Sequence, residues 1–159
     1  MKQFLTHTTD VQGNKYIVIK FDKNTDSELM FFLKELKTIL GDRFNTFVSN
    51  QQTRDLRDGQ PHTHHATVIN VMELGNVSDT KSIDIAMSQP INDFKMIGIG
   101  TAIDDKRGNQ TFFVVCESKT LDNLRESVGL KPHDFHITLG FSDKDVFGRS
   151  KGKDSLINA

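Results

Sequence analysis

His65-Ala66-Thr67 and His136-Ile137-Thr138 each set an imidazole and a hydroxyl two residues apart, and the two pairs are 71 positions from one another. On a strand, side chains two apart share one face. Imidazoles titrate near neutrality, so two of them can supply a base for an attacking oxygen and an acid for a departing one. Two threonine hydroxyls can donate hydrogen bonds to the nonbridging oxygens of a phosphoryl group. Such donors count most where negative charge builds up in the transition state and rigid strands hold them in place. If the two strands are neighbours, the four groups converge and suit cleavage of a phosphodiester. The same set would make a poor protease, because neither pair includes an evident nucleophile oriented by a carboxylate. A third match, His7-Thr8-Thr9, sits in a polar N-terminal stretch and reads as an accident of composition.

The elements that must position these groups follow from periodicity. Phe135, Ile137, Leu139 and Phe141 alternate with His136, Thr138 and Gly140, the pattern of a half-buried strand. His65 to Met72 and Lys15 to Phe21 read as strands as well. Thr25 with Glu28 fits a capping box opening a helix. Its apolar stripe is Leu29, Phe32, Leu33, Leu36 and Leu40, and Gly41 closes it. Arg43 to Asn50 fits either a short strand or a helical turn. Gln51 to His64 is polar and reads as an exposed connection, Gly75 to Thr80 as a loop, and Ser82 to Met87 as an edge strand limited by Pro90. Met96 to Ile103 and Thr111 to Cys116 form a hairpin through Asp104 to Gln110. Ser118 or Thr120 caps a second helix with Leu121, Leu124 and Val128 inward, stopped by Gly129 and Pro132. Asp143 to Ala159 reads as a loop-rich tail.

These elements imply an α+β class, with helices over one face of antiparallel sheet and the other face partly open. The 159 residues have the length of one domain, and we expect 1–159 to form a single unit. Charged residues are 26% of the chain and the formal net charge is -1, which exerts no global pull toward long DNA or an anionic membrane. No apolar run is long enough to cross a bilayer and the first residues lack a signal-peptide block, so the expected location is the cytoplasm. Cys116 is the only cysteine, which rules out an internal disulfide; it lies in an apolar run and reads as core.

His65-Ala66-Thr67-Val68 and His136-Ile137-Thr138-Leu139-Gly140-Phe141 resemble the paired motifs of the 2H phosphoesterase (LigT-like) superfamily, and the order of elements between residues 15 and 141 is similar. The resemblance implies a bilobal, pseudo-symmetric fold with a central cleft. It also implies cofactor-free, metal-independent cleavage of cyclic or 2′-5′ phosphodiesters in nucleotides, cyclic oligonucleotide messengers or RNA ends. The compact chain with short inserts is similar to the phage and viral members. Carried over by position, His65 and His136 are the acid and base, in an order set by the substrate, and Thr67 and Thr138 bind phosphate. Tyr16 is a candidate to stack on a base or bond the phosphate, or simply to pack. Arg54 and Arg57 before the first motif, and Arg149, Lys151 and Lys153 after the second, are candidates to attract phosphate; of these Arg54 and Lys151 are carried as substrate contacts. Two other readings remain open: a module that binds a nucleotide without turnover, and a metal-dependent hydrolase using His62, His64 and His65, with His133 as a further ligand. Oligomeric state is not legible.

Overall fold

The computed structural model describes residues 3–22, 24–57 and 63–157. Six strands form one antiparallel sheet in the order β1-β2-β3-β6-β5-β4: β1 Thr6–Thr9, β2 Lys15–Asp22, β3 Thr63–Ile69, β4 Lys95–Ile103, β5 Gln110–Glu117 and β6 His136–Phe141. The helices are α1 Ser27–Leu40, α2 Phe44–Arg57, α3 Val71–Gly75, α4 Thr80–Met87 and α5 Lys119–Ser127. The fold is α+β, as the sequence implied. Each half of the sheet is a hairpin, a helical connection and a third strand returning beside the second. The third strands, β3 and β6, are the two motif strands, and they meet at the centre.

Alternation explains which face each residue takes. Ile17, Ile19, Ala66, Val68, Ile137 and Leu139 are inaccessible to solvent and pack with Leu29, Leu36 and Leu121 from the helices. The sheet face that carries the polar halves of β3 and β6 is covered differently on its two sides. Over β4 and β5 the tail returns, burying Val146 and packing the half-buried Leu156 against Ala102, Phe113 and Val115, so β5 is covered on both faces. This accounts for the unbroken apolar run Phe112 to Cys116. Cys116 is buried among core residues, as its surroundings suggested.

Local chemistry sets the boundaries. Asp26 rather than Thr25 caps α1, its carboxylate accepting the Leu29 N–H at 2.9 Å. Gly41 ends that helix at φ 56 while donating its N–H to the Lys37 carbonyl. Ser118 caps α5 by accepting the Leu121 N–H at 3.3 Å. The tail is loop-rich as expected, with one short 3-10 turn at Lys153–Ser155.

Three expectations are corrected and one strand is added. The stretch 44–57, divided between an ambiguous segment and an exposed connection, is helix α2; its inward face carries polar Gln51 and Asp55, which hydrogen-bond to each other at 2.8 Å, so no apolar stripe advertised it. The stretch read as an edge strand, 82–87, is the C-terminal part of α4, capped by Asp79. Ile83, Ile85 and Met87 imitate strand alternation, but Ile85 is 62% exposed while Ile83 is buried, which is the helical phase. The strand from His65 stops at Ile69, because Asn70 and Glu73 form a reciprocal capping box that starts α3. Thr6–Thr9, within the polar N-terminal stretch to which no element was assigned, is an edge strand paired to β2.

Candidate functional site

β3 and β6 are bridged through Ala66 and Ile137. Both of those side chains point into the core, so the residues flanking them point to the other face. Continuing the antiparallel register by one residue each way sets His65 opposite Thr138 and Thr67 opposite His136. The four side chains form a quadrilateral with the histidines at one pair of opposite corners and the threonines at the other. Strand geometry makes each diagonal about 8 Å between Cα atoms.

All four line one cleft of about 720 Å³. The His65 imidazole meets Tyr16 edge-on, with ring centroids 6.1 Å apart, so Tyr16 does reach the cleft from β2. The His136 ring stands edge-on to Phe113 at 5.7 Å. His136 Nδ1 lies 2.7 Å from the Asp134 carbonyl, which can only accept. Nδ1 therefore carries a hydrogen and Nε2 is left to face chemistry. Burial pulls both histidines down from their ordinary value to about 4. The smaller influences differ: for His65 the neighbours Arg54, His64, His136 and Lys20 all lower it further. For His136, Lys151 and His133 lower it while the Asp134 carbonyl and Asp145 raise it.

A cationic wall stands beside this group. Arg54, near the end of α2, donates to Asp145 at 2.8 Å and lies over the Phe141 ring at 5.2 Å. Lys151 reaches the other oxygen of Asp145 at 3.4 Å from the tail. Burial pushes Asp145 upward, but Lys151 and Arg54 outweigh it and hold the carboxyl below its ordinary value. Lys151 is itself lowered by burial. One carboxylate thus holds two cations at the edge of the cleft, and Arg54 and Lys151 both line it.

The remaining sequence candidates separate cleanly. Arg57 lines the cleft, whereas Lys153 is exposed and paired with Glu117 at 2.9 Å. Arg149 lies in an adjoining groove. His7 is exposed on β1 and is not among the residues lining the cleft. His62 falls outside the described residues. His64 is buried on the core face and its Nδ1 donates to the Thr138 carbonyl at 3.2 Å, so it points away from its neighbour His65 and the two cannot share one ion. No group of three or more possible metal ligands occurs among the described residues.

Sequence reasoning missed several contributors. Asp10, Val11 and Gln12 enter from the turn between β1 and β2, and Asn70, Val71 and Met72 from the start of α3. His133 and Phe147 complete the walls. The Asn70-x-x-Glu73 box was a usable signal for the α3 wall; nothing local marked the β1–β2 turn.

With this geometry in view, a family model describing a Swiss Army Knife, 2H phosphoesterase domain matches residues 33–147, more than half of the chain. The chain belongs to the 2H phosphoesterase family. Neither the curated proteins nor the solved structures yield a match. No helix among the described residues is long and apolar enough to cross a membrane.

Proposed function

We propose that this 2H phosphoesterase domain is a metal-independent phosphodiesterase for a cyclic or 2′-5′ phosphodiester of a nucleotide, cyclic oligonucleotide or RNA end. The observation that carries the reading is the crossed arrangement of the two pairs, each histidine opposite the other motif's threonine. In-line displacement at phosphorus needs the attacking and leaving oxygens on opposite sides, and the histidines stand at opposite corners. One imidazole takes the proton of the attacking water as the new P–O bond forms. The other, protonated, gives its proton to the ribose oxygen as the old P–O bond breaks. Thr67 and Thr138 donate to the nonbridging oxygens, and Arg54 and Lys151 offset the charge that accumulates there. Tyr16 stacks on or hydrogen-bonds the nucleotide beside His65.

The Asp134 carbonyl fixes a hydrogen on His136 Nδ1 and leaves its Nε2 as the atom that exchanges a proton with substrate. Burial lowers both rings alike, to about 4, so the direction in which the substrate lies between them decides which is acid and which is base.

The test is hydrolysis of 2′,3′-cyclic nucleotides, 2′-5′ oligoadenylate and cyclic dinucleotides in EDTA. We expect turnover that falls about 10²- to 10⁴-fold in His65→Ala and in His136→Ala. Activity abolished by EDTA and restored by a divalent cation, or activity surviving both substitutions, would sink the reading. Binding of a nucleotide without turnover in the same assay would point to a sequestering module instead.

A further inference from the structure

The geometry points to a second subsite, for a neighbouring nucleotide unit of an oligonucleotide substrate, in the groove that continues from the cleft past His136; this rests on the phosphodiesterase reading above. A concavity of about 360 Å³ adjoins the cleft and shares four walls with it, His133, His136, Phe147 and Lys151. Its own walls are Pro132, Asp134, Gly148 and Arg149. A chain whose scissile phosphate sits between the two histidines can therefore run on over Phe147 without leaving a concave surface.

Two features of the groove match what a nucleotide unit presents. Phe147 is 80% exposed, an apolar ring left in water between two concavities, with the Lys151 ammonium 5.5 Å from its centroid. Every base offers a π-face to such a ring, whatever its sequence. Arg149 is paired with Asp105 at 3.2 Å, and both side chains are well exposed, at 50% and 80%. An ion pair in that setting is weak, so a phosphate can take over the guanidinium with two parallel hydrogen bonds. His133 lines both concavities at their junction, its ring 6.1 Å from that of His136, so the two sites share a continuous wall. Asp134 is the one carboxylate on the groove, set against two cations, and its Oδ2 already accepts the Lys151 backbone N–H at 3.3 Å.

This favours a substrate with at least one phosphate beyond the scissile one over a mononucleoside cyclic phosphate. The probe is a fluorescently labelled 2′-5′ triadenylate, with unlabelled adenosine monophosphate as competitor, bound to the His65→Ala/His136→Ala protein. We expect the trimer to bind at least tenfold more tightly than the monophosphate. Adding Arg149→Ala should weaken the trimer about tenfold, the size of one charged hydrogen-bond contact, and leave the monophosphate unchanged. The slope of log affinity against log salt should fall by about 0.7 for the trimer, as loss of one single-strand phosphate contact requires. In the otherwise native protein, Arg149→Ala should leave turnover of a 2′,3′-cyclic mononucleotide unaltered. Equal affinity for trimer and monophosphate, or an Arg149→Ala effect of the same size on both, overturns the subsite. Diester turnover with length-independent binding would remove the subsite alone. Length-dependent, Arg149-dependent binding without turnover would remove the phosphodiesterase reading alone, and no nucleotide binding would remove both.

Discussion

Arg125 grips Glu73 with both terminal nitrogens, at 2.9 and 2.6 Å, from a position that is 2% exposed. The same guanidinium donates to the Val68 carbonyl at 2.8 Å and to the Lys131 carbonyl from two nitrogens, at 2.9 and 2.6 Å. One cation therefore ties α5 to α3, to the end of β3 just past Thr67, and to the segment leading into His136. The hydrogen bonds from Arg125 are the main cause holding the Glu73 carboxyl below its ordinary value.

Replacing Arg125 should loosen both motif strands at once. Removing one partner of a buried pair typically costs about 3–5 kcal/mol. Arg125→Met should lose about that much in urea denaturation and lower kcat/KM. Lysine cannot reproduce the fork, so Arg125→Lys should recover little. Unimpaired kcat/KM in Arg125→Met, whatever its stability, would contradict the positioning role.

The pH dependence of activity should separate free from bound enzyme. With both imidazoles near 4 in the free protein, the singly protonated form thins as pH rises through neutrality. We expect kcat/KM to peak on the acid side and fall with an apparent constant well below 6.5, a property of the coupled pair rather than of either ring. A bound phosphate favours the charged imidazole, so the alkaline limb of kcat should lie at higher pH than that of kcat/KM. Coincident limbs at or above pH 7 would refute this.

Stability should decline on the acid side for the same reason. Between about pH 6.5 and 4 the unfolded chain protonates both rings while the native one keeps them neutral, so the unfolded state binds more protons and unfolding becomes easier as pH falls. The loss is at most about 3 kcal/mol per ring. Below that window, protonation of Glu73 and Asp145, both lowered in the fold, continues the decline. Thermal melts of His65→Asn and His136→Asn should show a flatter profile between pH 6.5 and 4. An unchanged slope would mean that the rings are not desolvated.

Gly140 admits no side chain. A Cβ there would lie 2.7 Å from the Phe47 carbonyl oxygen and 2.8 Å from its carbon, backbone atoms of α2 that cannot turn aside. Gly140→Ala should cost about 1–3 kcal/mol by overpacking and move α2, with Arg54 on it, off β6. Unfolding by urea reads the first effect, and a raised KM for an anionic substrate the second.

The motif strands were legible because their alternation is strict and their polar halves carry unusual groups. Leu29, Leu36 and Leu40 announced α1 by the same logic. Helix α2 was not legible, since its inward face carries the polar pair Gln51 and Asp55 beside Phe47 and so shows no apolar stripe. Ile83, Ile85 and Met87 fit two periods at once, and only tertiary burial chose between them. The four motif residues were found from types and spacing. The crossing of histidine over threonine needed the β3–β6 register, which no local pattern encodes. Asp145, the anchor for Arg54 and Lys151, looked like one more charge in a loop.

The six-stranded sheet is most thinly paired where the reactive groups stand. Its two halves meet through the bridged pair Ala66 and Ile137, and both imidazoles leave the chain one residue before that pair. Shear between the halves is felt first as a change in the gap between the rings, so the halves act as the jaws of a caliper. Helix α2 belongs by chain order to one jaw and lies across β6 of the other, with Asn50 donating to the Phe141 and Ser142 carbonyls at 3.0 and 2.7 Å. It is the clamp that keeps the caliper at its setting.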